Sequence, residues 1–142
     1  MPSCPTLRVA LPVPLPQTFD YLPPPGSPEP SQADVGRRLR VSFGNRELVG
    51  VVEGIGDGND PATLKAALEW RDAAPLLAGE LYASLRWLAR YTHAPLGEVA
   101  ATALPAPLRR GEPLPDTHGW AWQLTDAGHD GLSKLRHGTR PQ

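Results

Sequence analysis

Apolar and polar residues alternate near the start of the chain, where Leu7, Val9, Leu11 and Val13 are separated by Arg8, Ala10 and Pro12. A period of two is that of a strand with one buried face. Pro12, Pro14 and Pro16 then recur at every second position. Each lacks an N–H, so together they blank one edge of an extended chain. The expectation is an edge strand or a polyproline-like ribbon at the surface, presenting the following Phe19, Asp20 and Tyr21 near solvent. Alternation resumes at Leu39, Val41 and Phe43, interleaved with Arg38, Arg40 and Ser42. Gly44-Asn45 supplies a two-residue turn, and a second apolar run follows at Val49, Val51 and Val52. This is a hairpin pattern with one arginine-bearing face. Short strands bent at glycines predict a small, curved antiparallel sheet or an open β-barrel.

Further along, the period changes to that of a helix. Leu81, Leu85 and Leu88 share a face, with Trp87 and Tyr91 alongside and Pro95 as the stop. Leu96, Val99, Ala100 and Ala103 predict a shorter helix ended by Pro105 and Pro107. The segment PATLKAALEW, from Pro61, reads as a short helix or turn, and residues 27–34 as a surface loop. The fold class is α+β. Four prolines and Gly111 between residues 105 and 115 mark a linker by composition. The expected organisation is a domain over residues 1–106, a linker over 107–117 and the start of a further unit over 118–142. That last part shows Trp120, Trp122 and Leu124 in alternation and a helical start after Thr125, but is too short to bury a core alone.

Eighteen prolines and 14 glycines in 142 residues leave much of the chain to turns, and a 40% hydrophobic share allows a single modest core. Cys4 is the one cysteine, which excludes a disulfide framework or a cysteine-based zinc site within the chain and fits a reducing cytosol. With no membrane-length apolar run and no leader-like N-terminus, a soluble cytoplasmic protein is expected. The net charge of −1 speaks against a non-specific polyanion binder, so any nucleic acid must be held at a local site.

Several motifs bear on chemistry. GIGDGN, residues 54–59, departs from the dinucleotide-binding pattern at Asn59 and reads as a flexible turn. No phosphate loop for ATP is encoded. His93, His118, His129 and His137 lack the spacing of a helical metal pair. No nucleophile elbow occurs, and Asp20 as a base has no visible second group to work with, so catalysis is not expected. Arg37, Arg38 and Arg40 form a basic run in which Arg38 and Arg40 share a face, either solvated or contacting phosphates. In Phe19-Asp20-Tyr21 an extended backbone sends both rings to one side and the carboxylate to the other. Either the rings are buried and Asp20 is exposed, or the rings bracket a base while Asp20 accepts hydrogen bonds. A proline-rich ligand for aromatic grooves is the alternative reading of residues 12–25, disfavoured by the strand patterns on both sides.

The stretches VALPVPLPQTFDYLPPPG, VGRRLRVSFGNRELVGVVEGIG, LKAALEW and LRWLARYTHAPLGEVAATALPAPLRRG span about residues 7–111. In this order and spacing the chain resembles the N-terminal, 3′-DNA-end-binding domain of the PriA family of bacterial replication-restart helicases. The resemblance implies capture of the 3′ end of the nascent leading strand at a stalled fork, with Phe19, Asp20, Tyr21, Gly44 and Lys65 forming the pocket for the terminal nucleotide. It implies that Asp20 accepts hydrogen bonds from the base edge and the terminal hydroxyl. It further implies primosome proteins and single-stranded DNA-binding protein as partners of the whole, and a nucleoid-associated location. No cofactor is expected in this chain, because ATP with magnesium and zinc belong to helicase and cysteine-rich parts of the family that this sequence lacks. The stretch from Trp120 resembles the start of a winged helix. Gln17, where the family often has a basic residue, and the proline- and acid-rich residues 27–34 depart from the pattern in ways that weaken backbone contacts.

Overall fold

The computed structural model describes residues 4–58, 60–116 and 121–136. Strands β1 (Cys4–Ala10), β2 (Phe19–Tyr21), β3 (Arg38–Phe43), β4 (Arg46–Gly58) and β5 (Glu69–Trp70) form one open antiparallel sheet in the order β2-β1-β4-β3-β5. Helices α1 (Gly79–Thr92), α2 (Leu96–Ala103), α3 (Ala106–Arg109) and α4 (Asp126–Arg136) follow. The architecture is the α+β fold with a curved sheet that the alternation predicts. Curvature is held by one short segment. Ala67 N–H donates to the Leu22 carbonyl, just past β2, at 2.8 Å, and Leu68 N–H donates to the Arg40 carbonyl of β3, also at 2.8 Å. Neighbouring residues therefore touch both sides of the sheet, which curls without closing.

The sheet buries residues on both faces. On the inner face Leu7 and Val9 of β1, Leu39 and Val41 of β3 and Val52 of β4 enclose a core that also takes in Leu11, Val13 and Tyr21. On the outer face Val51 meets Leu77, Leu85 and Ala89 and, from α2, Val99 and Ala100. Of the three leucines aligned on α1, only Leu85 is buried, and Ala89 one turn later completes its stripe. The helix packs through a narrow face, so Leu81 and Leu88 stay exposed. Among the described residues no helix is long and apolar enough to cross a membrane.

The structure corrects the proline stretch. β1 ends at Ala10 and lies inside the sheet, between β2 and β4. Beyond it Val13 N–H donates to the Leu11 carbonyl and Leu15 N–H to the Val13 carbonyl, each at 2.8 Å. These are consecutive three-residue turns centred on Pro12 and Pro14, whose fixed φ suits the inverse γ-turn. Leu11 and Val13 are each 2% exposed, so the ribbon is anchored by its apolar residues. It is also clamped from above, because α2 approaches so closely that a Cβ on Gly97 would overlap the Leu11 carbonyl oxygen. Gly97→Ala is expected to cost about 3 kcal/mol by forcing α2 off the ribbon, read as a lowered urea midpoint with unchanged slope.

The glycine run is likewise strand, not turn. Gly54, Gly56 and Gly58 lie in β4 opposite Arg8, Thr6 and Cys4. Backbone pairing needs no side chain, so glycine at alternate positions keeps the ladder and empties one face. Glu53, between the partners of Arg8 and Val9, is the extra residue of a β-bulge. In PATLKAALEW only Pro61–Thr63 makes a 3₁₀ turn, capped by Asp60, whose Oδ1 accepts from Ala62 N–H at 3.2 Å. The rest is extended and ends in β5.

The proline-rich segment after α2 is not free in its first half. The Arg38 guanidinium donates to the Leu108 carbonyl and, at 3.0 Å, to that of Glu112. Arg71 Nε donates to the Gly111 carbonyl at 2.6 Å. Composition signals proline and glycine but not the arginines waiting on the sheet. The helical start expected after Thr125 corresponds to α4, whereas Trp120 and residues 137–142 of the expected winged-helix start lie outside the described residues.

Candidate nucleic-acid interface

Two of the triplet's three side chains turn inward. Phe19 meets the ring of Phe43 edge-on, with centroids 5.1 Å apart, and packs against the inner core. Tyr21 is 5% exposed, and its hydroxyl donates to the Ser42 carbonyl at 3.0 Å. Tyr21 is therefore a core residue, and its ring is not free to stack on a base. Hydrophobic burial of a ring whose polar tip finds a backbone acceptor satisfies both parts of the side chain. The outward member is Asp20, opposite Arg8 on β1, with Arg8 Nε 3.9 Å from Asp20 Oδ1. Both side chains are about half exposed, at 47% for Arg8 and 42% for Asp20.

Burial raises the Tyr21 phenol above its usual value near 10. The folded protein then holds this proton to higher pH than the unfolded chain does. Its contribution is intact below about pH 10 and is lost as the pH rises through the raised value. Tyr82, whose hydroxyl donates to the Glu53 carbonyl at 3.4 Å, is raised in the same direction, chiefly by burial. Tyr21→Phe is expected to flatten part of the alkaline decline in melting temperature, while costing about 1 kcal/mol at neutral pH through the lost hydrogen bond. Thermal melts of both proteins across the alkaline range check this.

The other expected site residues come to the same end of the sheet by backbone contacts. Gly44 occupies the first position of the β3–β4 turn with φ +59°, the conformation that a two-residue hairpin turn beginning with glycine uses. It follows Phe43 directly, so the ring contact with Phe19 brings the hairpin tip beside β2. Lys65 is exposed, and its carbonyl accepts from Leu22 N–H at 2.9 Å, which lays residues 65–67 along the chain just after the triplet. Phe19, Tyr21, Gly44 and Lys65 are thus gathered, while Asp20 projects from the opposite side of β2.

The two arginines part company. Arg38 has no exposed surface, and its guanidinium is spent on both oxygens of Asp72, at 2.9 and 2.7 Å, and on the carbonyls of Leu108 and Glu112. It is a structural tie and cannot reach a phosphate. The period-two pattern placed it correctly on the outer face but could not show that residues 108–112 cover it. Arg40 remains accessible, 3.3 Å from Glu69 and 3.8 Å from Glu47. It lines a groove of about 410 Å³ with Pro12, Glu47, Leu48, Arg109 and Arg110. Sequence reasoning missed the Arg8–Asp20 pair, for which only the strand register gives a signal.

Comparison with known proteins bears on this arrangement. The family model of the PriA 3′ DNA-binding domain (3′BD) matches residues 8–105, a span that holds Arg8, the triplet, Gly44 and Lys65. The replication restart protein PriA of Haemophilus influenzae is 38% identical over 130 residues, covering 90% of this chain and 17% of that protein. The replication restart protein PriA of Buchnera aphidicola is 25% identical over 126 residues, covering 87% of this chain and 17% of its own. The chain therefore spans about 17% of the length of these curated relatives. With the match extending over most of the sheet and both packed helices, the chain belongs to the PriA 3′ DNA-binding domain family.

Proposed function

We propose that this chain binds the free 3′-hydroxyl end of a DNA strand, with Asp20 accepting hydrogen bonds from the terminal hydroxyl and base edge. The observation that carries the reading is the placement of Asp20. It is a half-exposed carboxylate on an edge strand, with one loose cationic neighbour and its remaining lone pairs open to a ligand. In this reading Phe19 supports β2 from its inner side through Phe43 and Gly44 shapes the neighbouring hairpin tip, while the exposed Lys65 and the accessible Arg40 supply positive charge. Tyr21 acts from within the core by fixing the backbone of β2 against β3.

In the same reading the bound end is that of the nascent leading strand at a stalled fork, and binding serves primosome assembly and replication restart. Primosome proteins and single-stranded DNA-binding protein are partners of the larger protein, and unwinding is driven by parts outside these residues. This chain itself contributes binding, not catalysis. A free proline-rich ligand has less support, because Leu11 and Val13 are anchored in the core. Fluorescence titration with oligonucleotides that differ only in a 3′-hydroxyl, a 3′-phosphate or a 5′-phosphate tests the proposal. Equal affinity for the two 3′ ends would remove it.

A further inference from the structure

We propose that Arg8 is the residue that binds the phosphodiester adjoining the terminal nucleotide; the inference rests on the end-binding reading of Asp20 and adds its cationic partner. The outer face of β1 carries Thr6 and Arg8, and the residues opposite them on β4 are Gly56 and Gly54. Asp20 stands opposite Arg8 from the other side. A Cβ built on Gly56 would lie 2.8 Å from Thr6 Oγ1, 3.1 Å from Asp20 Oδ1 and 3.5 Å from an Arg8 terminal nitrogen. Three polar side chains thus converge over a floor that has no side chain of its own. The helices cover the outer face around Val51, but this part of it stays open at Arg8 and Asp20.

The groups here hold unused bonding capacity. Arg8 approaches Asp20 only to 3.9 Å, and among the described residues its guanidinium makes no hydrogen bond. Thr6 is fully buried, and its Oγ1 has no partner. Three arginines at the β3 end of the sheet are occupied, Arg37 on Asp34 and the Asp72 carbonyl, Arg38 on Asp72, and Arg71 on Glu69 and the Gly111 carbonyl. Arg40 and Arg46 lie on β3 and β4, and only Arg8 stands opposite Asp20. A terminal nucleotide carries its 3′-hydroxyl and its 5′-phosphodiester on one sugar, so an acceptor for the first and a cation for the second must be close neighbours. Arg8 and Asp20 are such a pair. A chain of net charge −1 must find this cation locally.

Arg8→Gln shortens the side chain but keeps it polar, at a half-exposed position that stands outside both cores, so the variant folds. Titrations use wild type, Arg8→Gln and Arg8→Lys against 3′-hydroxyl oligonucleotides whose last linkage is a phosphodiester or an uncharged methylphosphonate. Wild type is expected to lose about tenfold in affinity on the methylphosphonate, and Arg8→Gln about tenfold on the normal linkage. Arg8→Gln should then bind both linkages equally, with a salt slope shallower by about 0.7, while Arg8→Lys retains most of the affinity. An Arg8→Gln loss of equal size on both linkages would mean that Arg8 only steadies Asp20, and overturns the phosphate contact. An unchanged Arg8→Gln with wild-type preference for the 3′-hydroxyl retained overturns Arg8 alone. Indifference of wild type to 3′-hydroxyl or 3′-phosphate removes the end site and this contact with it.

Discussion

Arg38→Ala is expected to lower the unfolding free energy by about 3–5 kcal/mol, the cost of stripping the partner from a buried carboxylate. Arg38 is 0% and Asp72 9% exposed at the side chain, so the residual charge on Asp72 would sit in the interior. The Arg38 backbone N–H, 2.9 Å from Asp72 Oδ2, is then its remaining donor among those that Arg38 supplies. The same truncation frees the carbonyls of Leu108 and Glu112, so residues 108–112 lose their hold on β3. Limited proteolysis should therefore cut within residues 106–112 in the variant, whereas wild type resists there and is trimmed only beyond Glu112. Replacing both members by apolar residues of similar volume should restore much of the loss, since the pair's cost lies in leaving one charge alone. Urea unfolding of the two single variants and the double variant measures this as a coupling energy. A single-variant loss below about 1 kcal/mol would show a tie that solvent can replace.

A 3′-phosphate should abolish binding of a DNA end. On the proposed reading its charge would face the Asp20 carboxylate in place of the hydroxyl donor, combining like-charge repulsion with a lost hydrogen bond. Asp20→Asn should weaken the hydroxyl end by roughly 1–3 kcal/mol while relieving part of the discrimination against phosphate. The sign of that relief separates the mechanism from a structural role, since a merely distorted edge strand would bind both ends less well. Phe19→Ala should weaken both ends together, because the ring supports β2 through Phe43 and does not choose between hydroxyl and phosphate. A variant Asp20→Asn that keeps full wild-type discrimination would take Asp20 out of end recognition.

The strands legible in the sequence are those whose burial is one-sided and whose side chains alternate. Leu7 and Val9, the hairpin from Leu39 and its turn at Gly44-Asn45 all announced themselves in this way. The far half of β4 did not, because Gly54, Gly56 and Gly58 carry no pattern and pair through backbone alone. Nor did β5, two residues long and specified by its neighbours. At the site the sequence offered both readings of Phe19 and Tyr21, and burial against Phe43 and Ser42 chose the inward one. Arg38 and Arg40 look alike from a period of two, yet one is covered by residues about 70 positions away. Such a contact belongs to tertiary structure, and local periodicity contains no trace of it.

The segment that touches both sides of the sheet also decides how this domain meets other chains. A long unpaired strand edge invites a strand from a neighbour, through main-chain hydrogen bonds that ignore sequence. Here the terminal strands are three and two residues long. Just beyond β2, Leu22 is already paired with the stretch from Lys65 to Ala67, and Leu68 occupies the Arg40 carbonyl beside β5. At these two terminal strands an extended peptide that binds by adding a strand finds only a short ledge. Recognition at these edges is left to side chains standing off the surface, and the short terminal strands protect the curled sheet from fibrous association there.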